Sequence, residues 1–242
     1  SCKLANQTPN IFVLEYGERY GCAAKNFYTL IKKVDLTNYD YISFCDQDDI
    51  WHSDKLYKSI TTIQNKNIDA YSSDVIAFWP DNRRVYIKKS YPQKKFDHYF
   101  ESAGPGCTYV LVSTSMQKFK EFLLDNWKQV NNFESHDWLI YAFFRIKQLK
   151  WHIDNCPSMD YRQHEHNQVG TNYGIKAYVH RFSKIKSKWY RNEVNKIYNM
   201  LFKYSKDDFS LSKSFLLKNS RKLRRKPRDV LILFFFIIFR IF

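Results

Sequence analysis

Residues 41–51 read YISFCDQDDIW. The first five are mostly apolar and predict a buried strand, and carboxylates crowd the positions that follow it, at Asp46, Asp48 and Asp49. Ligands of open α/β sheets lie just outside the carboxyl ends of strands. Crowded carboxylates raise one another's pKa, so a cation is expected among them, and their oxygens suit Mg²⁺ or Mn²⁺ shared with substrate phosphates. The stretch predicts a metal-diphosphate site. The alternative is an acidic turn that only caps a helix beginning near Ser53.

The rest of the chain alternates strand and helix patterns around this segment. With 242 residues, 44% of them hydrophobic and 18% aromatic, the chain has the composition of a globular protein with one good core. Further strands are predicted over 10–15, 70–79, 84–88 and 108–112, and helices over 23–34, from 53, and over 119–127 and 137–146. This order predicts an α/β fold, a mostly parallel sheet flanked by helices.

The net charge of +15 is concentrated toward the C-terminus. Residues 220–228 read SRKLRRKPR, and the apolar run VLILFFFIIF follows at 230–239. A helix needs about 20 apolar residues to span a bilayer, so this run is too short. A basic cluster beside an apolar segment predicts attachment to an anionic membrane surface, on the cytoplasmic leaflet. The alternative is a tail that packs on the domain or on a partner subunit.

The positive charge also permits nucleic-acid binding, but the acidic segment opposes it and no nucleic-acid motif is present, so no nucleic-acid partner is expected.

The five cysteines form no CxxC pair and their number is odd, which predicts a reducing, cytoplasmic location. Three units are predicted: an α/β domain over 1–170, a helical basic extension over 171–219, and a membrane-associating tail over 220–242.

Three more clusters carry candidate chemistry. Asp137, between His136 and Trp138, has the character of a general base at a helix start, although a carboxylate there also stabilises the helix dipole. Arg162 can bind phosphate oxygens, and His164 can complete a metal site or contact a diphosphate. Histidines in a polar surface loop are the alternative.

The last cluster is the small-residue segment 102–108, SAGPGCT, which contains Gly106, Cys107 and Thr108. Small residues permit close approach of the backbone to a sugar donor or acceptor. A tight turn that leads into a strand explains the same residues.

Taken in order, these segments resemble the bacterial family 2 glycosyltransferases, especially the rhamnosyltransferase-like members. Residues 44–56 are similar to the family's "sDQDDiW…dKL", which is the most specific signal. The other matches are Asn26-Phe27 with "NF", 106–108 with "GcT", 136–138 with "HDW", and 161–170 with "YRQH…N..G".

The resemblance implies a GT-A-like (Rossmann-like) fold and an inverting transfer from a dTDP- or UDP-sugar, with rhamnose as the candidate sugar. The implied acceptor is a lipid-linked or growing cell-surface polysaccharide, and the implied cofactor is Mn²⁺ or Mg²⁺. Asp137 would be the general base. The donor diphosphate would be bound by Asp46, Asp48, Asp49, Arg162 and His164. The metal would be bound by Asp48, Asp49 and His164. The acceptor side would comprise Gly106, Cys107, Thr108, His136 and Trp138.

The chain departs from the family pattern at its beginning. The family's first strand, "TYN"-like loop and "DDgS" segment, which hold the nucleotide, have no counterpart here. We therefore expect an N-terminally truncated domain, either a piece of a longer enzyme or a non-catalytic remnant that acts as a membrane-bound or partner-binding module.

Overall fold

The computed structural model describes residues 10–14, 18, 20–163 and 188–239, and within them the predicted α/β class is confirmed. The strands are β1 (Tyr41–Ser43), β2 (Ile50–Trp51), β3 (Ala70–Ser73), β4 (Val75–Phe78), β5 (Arg84–Ile87), β6 (Val110–Val112), β7 (Trp151–Asp154) and β8 (Met159–Arg162). The α-helices are α1 (Ala23–Lys33), α2 (Lys55–Lys66), α3 (Ser113–Asp125), α4 (Trp127–Val130), α5 (His136–Ile146), α6 (Trp189–Leu201), α7 (Lys213–Lys218) and α8 (Pro227–Ile238). Short 3₁₀ turns lie at Asp97–Tyr99, Gly106–Thr108, Phe202–Tyr204 and Ser220–Lys222.

The first sheet, in the order β1-β6-β3-β7, is covered by helices on both faces. Successive side chains of a strand point to opposite faces. Accordingly, Tyr71 and Val110 pack with Ile63 of α2, whereas Ala70 and Leu111 belong to the large apolar cluster that includes α1, α3 and α5. This layering explains why the strands contain so few exposed positions.

The sheets are mixed, which corrects the expectation of a mostly parallel sheet for the described strands. Only β3 with β7 and β4 with β8 pair in parallel among them, while the other pairings are antiparallel. The antiparallel pairing of β6 follows from the position of the turn that precedes it. The Gly106–Thr108 turn lies where β1 ends, with Ser43 opposite Val110, so β6 must run back between β1 and β3.

The second sheet has the order β2-β8-β4-β5. The predicted continuous strand over 70–79 is wrong in one respect: it is divided at Asp74, where the chain passes from the first sheet to the second. The segments β7 and β8 pass between the sheets in the same way, in parallel with β3 and β4. Asp74 is fully buried at this crossing.

Two local predictions are also wrong. The helix after the acidic segment begins at Lys55, with Asp54 in the N-cap position, so Ser53 does not cap it. Asp54 instead forms an ion pair with Lys58 at 2.6 Å. Residues 10–14 form no strand and are exposed, so they contribute nothing to the two sheets.

The C-terminal segments pack on the rest of the protein. Val194 and Ile197 of α6 and Leu233 and Ile237 of α8 are buried in the same apolar cluster as α5. The division into three units at residues 170 and 219 stays a prediction.

Two arginines of the basic run are turned inward. Arg225 contacts Asp97 at 3.4 Å, and its backbone N–H donates to Glu101 at 2.6 Å. Arg224 donates to the carbonyl of Phe100 and to Asp229. These bonds tie residues 224–229 to the segment that precedes the Gly106 turn. Across the described ranges, no helix has the length and apolar character needed to cross a bilayer.

Candidate active site

Three segments meet at one edge of the first sheet. They are the acidic segment after β1, the Gly106–Thr108 turn before β6, and the first turn of α5. The antiparallel pairing of β1 with β6 places the first two side by side. The arrangement brings Asp46, Asp49, Cys107 and Asp137 into one region.

Gly106 makes the closest contact between the turn and α5. A Cβ atom at this position would lie 2.6 Å from Nε2 of His136 and 3.3 Å from Cβ of Asp137. The imidazole of His136 stacks on Phe27 with ring centroids 4.2 Å apart, so it cannot easily move away. The hydroxyl of Tyr109 donates to the Asp137 carbonyl at 3.3 Å. A side chain at residue 106 would therefore push the turn and the helix apart.

The acidic segment supplies a compact group of donor atoms. Carboxylate oxygens of Asp46 and Asp49 and the sulfur of Cys107 all lie within 4.8 Å of one another. Asp49 accepts the Arg162 backbone N–H through Oδ1 at 2.9 Å, and its buried Oδ2 has no hydrogen-bond partner among the described residues. Burial raises the pKa of Asp49 to about 6, and burial together with the Asp48 charge raises the pKa of Asp46. The carboxylates are thus poised for a cation.

This donor set fits Mg²⁺ or Mn²⁺. Two carboxylates leave positions open for a diphosphate and water, as these ions require. Burial raises the pKa of the Cys107 thiol well above its ordinary value, so the thiol stays protonated beside Asp46 and Asp49. A protonated thiol is a poor metal ligand, which leaves the oxygens to do the binding.

Lys55 is a part of the site that residue types did not reveal. Its side chain is buried, with Nζ 3.5 Å from the centroid of the Trp51 ring, and donates to the Cys107 carbonyl at 2.5 Å. Burial lowers the pKa of Lys55 to about 8, against the effect of the surrounding acidic groups. The ammonium thus joins the end of the acidic segment to the Gly106–Thr108 turn. The "dKL" match was the only signal for it.

The other predicted residues occupy different positions. Arg162 donates from Nε to the Asp48 carbonyl at 2.7 Å, so it supports the acidic segment from β8. Asp48 is not in the group formed by Asp46, Asp49 and Cys107. Thr108 is buried and bonds back to the Pro105 carbonyl. Trp138 is turned into the core, where its indole N–H donates to the His98 carbonyl. His164 lies outside the described residues.

Asp137 has the electrostatics of a base. Burial raises its pKa to about 6, partly offset by the Trp138 backbone N–H, which donates at 2.8 Å, and by the charge of Lys89. Burial lowers the pKa of His136 to about 3, which leaves its imidazole neutral. Near neutral pH, Asp137 is therefore the group of this pair that can accept a proton as an anion.

The comparisons with known proteins identify the family of the chain. No protein-family model matches the chain. Over 237 residues, the chain is 44% identical to the dTDP-rhamnosyl transferase RfbG of Shigella flexneri, an alignment that covers 96% of this chain and 82% of the relative. The chain belongs to the rhamnosyltransferase-like glycosyltransferases. The resemblance to rhamnosyltransferase-like proteins is thus confirmed, and the protein is a glycosyltransferase.

Two solved structures are also similar to this glycosyltransferase. S. aureus TarS 1–349 has 12% sequence identity and a TM-score of 0.44, over 100% of this chain and 67% of TarS 1–349. TarS 1–349 in complex with UDP-GlcNAc has 12% identity and a TM-score of 0.48, over 96% of this chain and 70% of that one.

The raised pKa of Asp137 predicts a gain in stability when its charge is removed. The pKa rises from an ordinary 3.8 to about 6 in the folded protein, so ionisation opposes folding and this contribution to stability is lost as the pH rises from about 4 to 6. At pH 7.5, we expect Asp137→Asn to raise the free energy of unfolding by about 3 kcal/mol. Urea unfolding at pH 7.5 and at pH 4 measures the change.

The gain should vanish at pH 4, where the wild-type carboxyl is already protonated. The matched control is the exposed Asp40→Asn, which should stay within about 0.5 kcal/mol of wild type. A loss of stability in Asp137→Asn at pH 7.5 would contradict the assignment of a destabilising charge at this position.

Proposed function

We propose that this glycosyltransferase transfers rhamnose from dTDP-rhamnose, with inversion, to a hydroxyl of a lipid-linked or growing polysaccharide at a membrane surface. The proposal also includes a divalent cation and Asp137 as the general base. One observation carries it: the turn that holds Gly106 against Asp137 also carries Cys107, whose sulfur lies within 4.8 Å of the carboxylates of Asp46 and Asp49. A base and a diphosphate-binding group within one site are what a single displacement needs.

In this reaction Asp137 accepts the proton of the acceptor hydroxyl as the oxygen attacks the anomeric carbon. The new glycosidic bond forms while the bond from that carbon to the diphosphate oxygen breaks, and the nucleoside diphosphate leaves with the electron pair. Because one displacement inverts the configuration, a second, nucleophilic carboxylate is not required. The half-buried setting of Asp137 suits this role, since its pKa lies close to the working pH.

The charge that the diphosphate gains must be neutralised as it leaves. Asp46 and Asp49 would hold a Mg²⁺ or Mn²⁺ ion that supplies this neutralisation, and we keep Asp48 and His164 as proposed further contacts. Arg162 holds the acidic segment in place through Asp48 and Asp49, and its guanidinium is the proposed partner of the diphosphate. Lys55 adds a fixed positive charge beneath the same segment.

The donor assignment is supported by the relative, whose name is dTDP-rhamnosyl transferase. Its identity of 44% over 96% of this chain favours the same donor class, and a UDP-sugar is the alternative that a direct assay separates. The acceptor assignment is supported by α8. Its outer side is apolar and exposed at Leu231, Ile232, Phe235, Ile238 and Phe239, beside the exposed basic residues Lys222, Lys226 and Arg228. This combination suits an anionic membrane on which a lipid-linked saccharide would lie.

Asp137→Asn tests the base. With dTDP-rhamnose and a polyprenyl-diphosphate-linked saccharide, we expect its turnover to fall about 1,000-fold, because an amide cannot accept the hydroxyl proton. In the wild type, kcat/KM should rise about tenfold per pH unit up to the pKa of Asp137 and level above about pH 6. The assay is rhamnosyl transfer measured by mass spectrometry of the product, with Asp40→Asn as control. Wild-type turnover in Asp137→Asn would contradict the assignment of Asp137 as the general base. Preference for a UDP-sugar over dTDP-rhamnose would contradict the donor assignment.

Asp49→Asn tests the cation. The substitution keeps the acceptor oxygen for the Arg162 N–H but removes the charge, so we expect the half-saturating Mn²⁺ concentration to rise at least about tenfold, equivalent to about 1.4 kcal/mol. Asp54→Asn is the matched control, because Asp54 lies on the next turn and pairs with Lys58. If EDTA leaves wild-type transfer intact, or if both variants respond to Mn²⁺ alike, the metal proposal is wrong.

The α8 surface is tested by flotation with vesicles that contain 30% phosphatidylglycerol, a composition chosen for the assay. Leu231→Ser with Phe235→Ser should lower the bound fraction at least about tenfold, because both side chains are exposed and apolar. Leu124→Ser, an exposed position on α3, is the control and should bind like wild type. Equal flotation of the double variant and wild type would contradict the membrane proposal.

A further inference from the structure

Lys89 lies beside the base in a position that the motifs do not explain. It follows β5, and its side chain is partly buried against the turn that carries Gly106. A Cβ atom on Gly104 would lie 3.4 Å from Cγ and 3.5 Å from Cβ of Lys89. Gly104 also has a backbone φ of +145°, which residues with a side chain rarely adopt. Because residue 104 has no side chain, the stem of Lys89 can pack against the turn at this point.

The backbone of Lys89 is held by a buried carboxylate. Asp74, fully buried where the chain passes between the sheets, accepts the backbone N–H of Lys89. It also accepts Ser90 N–H at 2.7 Å, the Ser90 hydroxyl at 2.8 Å and the Tyr86 hydroxyl. This network fixes the position from which the Lys89 side chain extends. Rigid support of this kind is what a substrate-binding side chain needs.

The ammonium of Lys89, by contrast, is left without a hydrogen-bond partner among the described residues. Burial lowers the pKa of Lys89, and the nearby charges that act on it belong to Arg225, Glu101, Arg224 and Asp137. Glu101 is already engaged by both arginines, at 3.6 Å from each. Part of the Lys89 side chain remains accessible, so its ammonium can be reached by a ligand that lies beside Asp137.

The order of contacts along the turn gives the side of the site on which that ligand lies. Gly104 contacts Lys89, Gly106 contacts Asp137, and Cys107 contacts the acidic pair. The charges that act on Asp137 include both Lys89 and Asp46, whereas those that act most on Lys89 include Asp137 and neither Asp46 nor Asp49, so the base lies nearer to Lys89 than the acidic pair does. In a single displacement, the attacking hydroxyl enters opposite the leaving diphosphate, so the side of Asp137 that carries Lys89 faces the acceptor.

We propose that Lys89 is a further substrate-binding residue, whose ammonium donates a hydrogen bond to an oxygen of the acceptor saccharide next to the hydroxyl that Asp137 deprotonates. The inference rests on the proposed transfer function and deepens it. The recognised chemistry is an oxygen acceptor, either a neighbouring sugar hydroxyl or an acidic group of the saccharide. Lys89 thereby contributes to the choice and orientation of the acceptor.

Lys89→Met is the test, because methionine keeps the aliphatic stem and removes the ammonium. Transfer to the polyprenyl-diphosphate-linked saccharide and hydrolysis of dTDP-rhamnose by water are measured on the same protein, together with the melting temperature. We expect the ratio of transfer to hydrolysis to fall at least about tenfold, the size of a lost hydrogen bond to a charged group. The melting temperature should stay equal or rise, because an unpaired cation is removed.

The neighbouring Lys88→Met is the matched control, since Lys88 is exposed and lies near the Tyr91 ring. Lys89→Arg should recover part of the transfer. A fall in melting temperature of several degrees for Lys89→Met would overturn the inference in favour of a structural role, whether or not transfer is observed. A parallel fall of transfer and hydrolysis would overturn it in favour of a contact with the donor. Absence of wild-type transfer, or its survival in Asp137→Asn, would instead contradict the proposed function.

Discussion

The close contact between Gly106 and the first turn of α5 is the constraint on which the site depends. The backbone of Gly106 occupies space that a single methyl group would take from His136 and Asp137. His136 cannot give way, because its ring stacks on Phe27 of α1. The same turn carries Cys107 toward Asp46 and Asp49. One glycine therefore fixes the spacing between the proposed base and the proposed diphosphate site.

Buried and partly buried cations hold the segments that meet at this contact. Buried Lys55 joins the Cys107 carbonyl to the helix after the acidic segment, and partly buried Arg162 joins the acidic segment to β8. Arg225 joins the C-terminal segment to Asp97 and to the carbonyl of Ser102, just before the glycines. Removing one partner of a buried ion pair leaves an uncompensated charge, which lowers the free energy of unfolding by about 3–5 kcal/mol. The positive charge of this chain thus has an internal role in addition to any membrane contact.

The sequence predicts the individual strands and helices around this site better than the long-range contacts between them. Local pattern was enough for β1 and α5, because strand and helix periodicity is visible along the chain. The grouping of Asp46, Asp49 and Asp137 into one site came instead from the resemblance to the family. Local pattern could not predict that Arg225 is buried, since its partners Glu101 and Asp97 lie 124 and 128 residues earlier. The division of the predicted strand at Asp74 and the antiparallel course of β6 depend on neighbouring strands, which local pattern does not encode. Lys89 directly follows a predicted strand and sits next to Lys88, and nothing in the local sequence marks its packing on Gly104.

The turnover of Gly106→Ala tests most directly whether the Gly106 contact sets the geometry of the site. The added methyl group would displace His136 and Asp137 from the acidic pair, so we expect rhamnosyl transfer to fall at least about 100-fold, since misplacement by about 1 Å has that effect. The control is Gly21→Ala, where φ is +63 and no heavy atom lies within 4 Å of the added Cβ; it should cost about 1 kcal/mol of stability without loss of turnover. Folded Gly106→Ala protein with wild-type turnover would contradict the claim that this contact sets the geometry of the site.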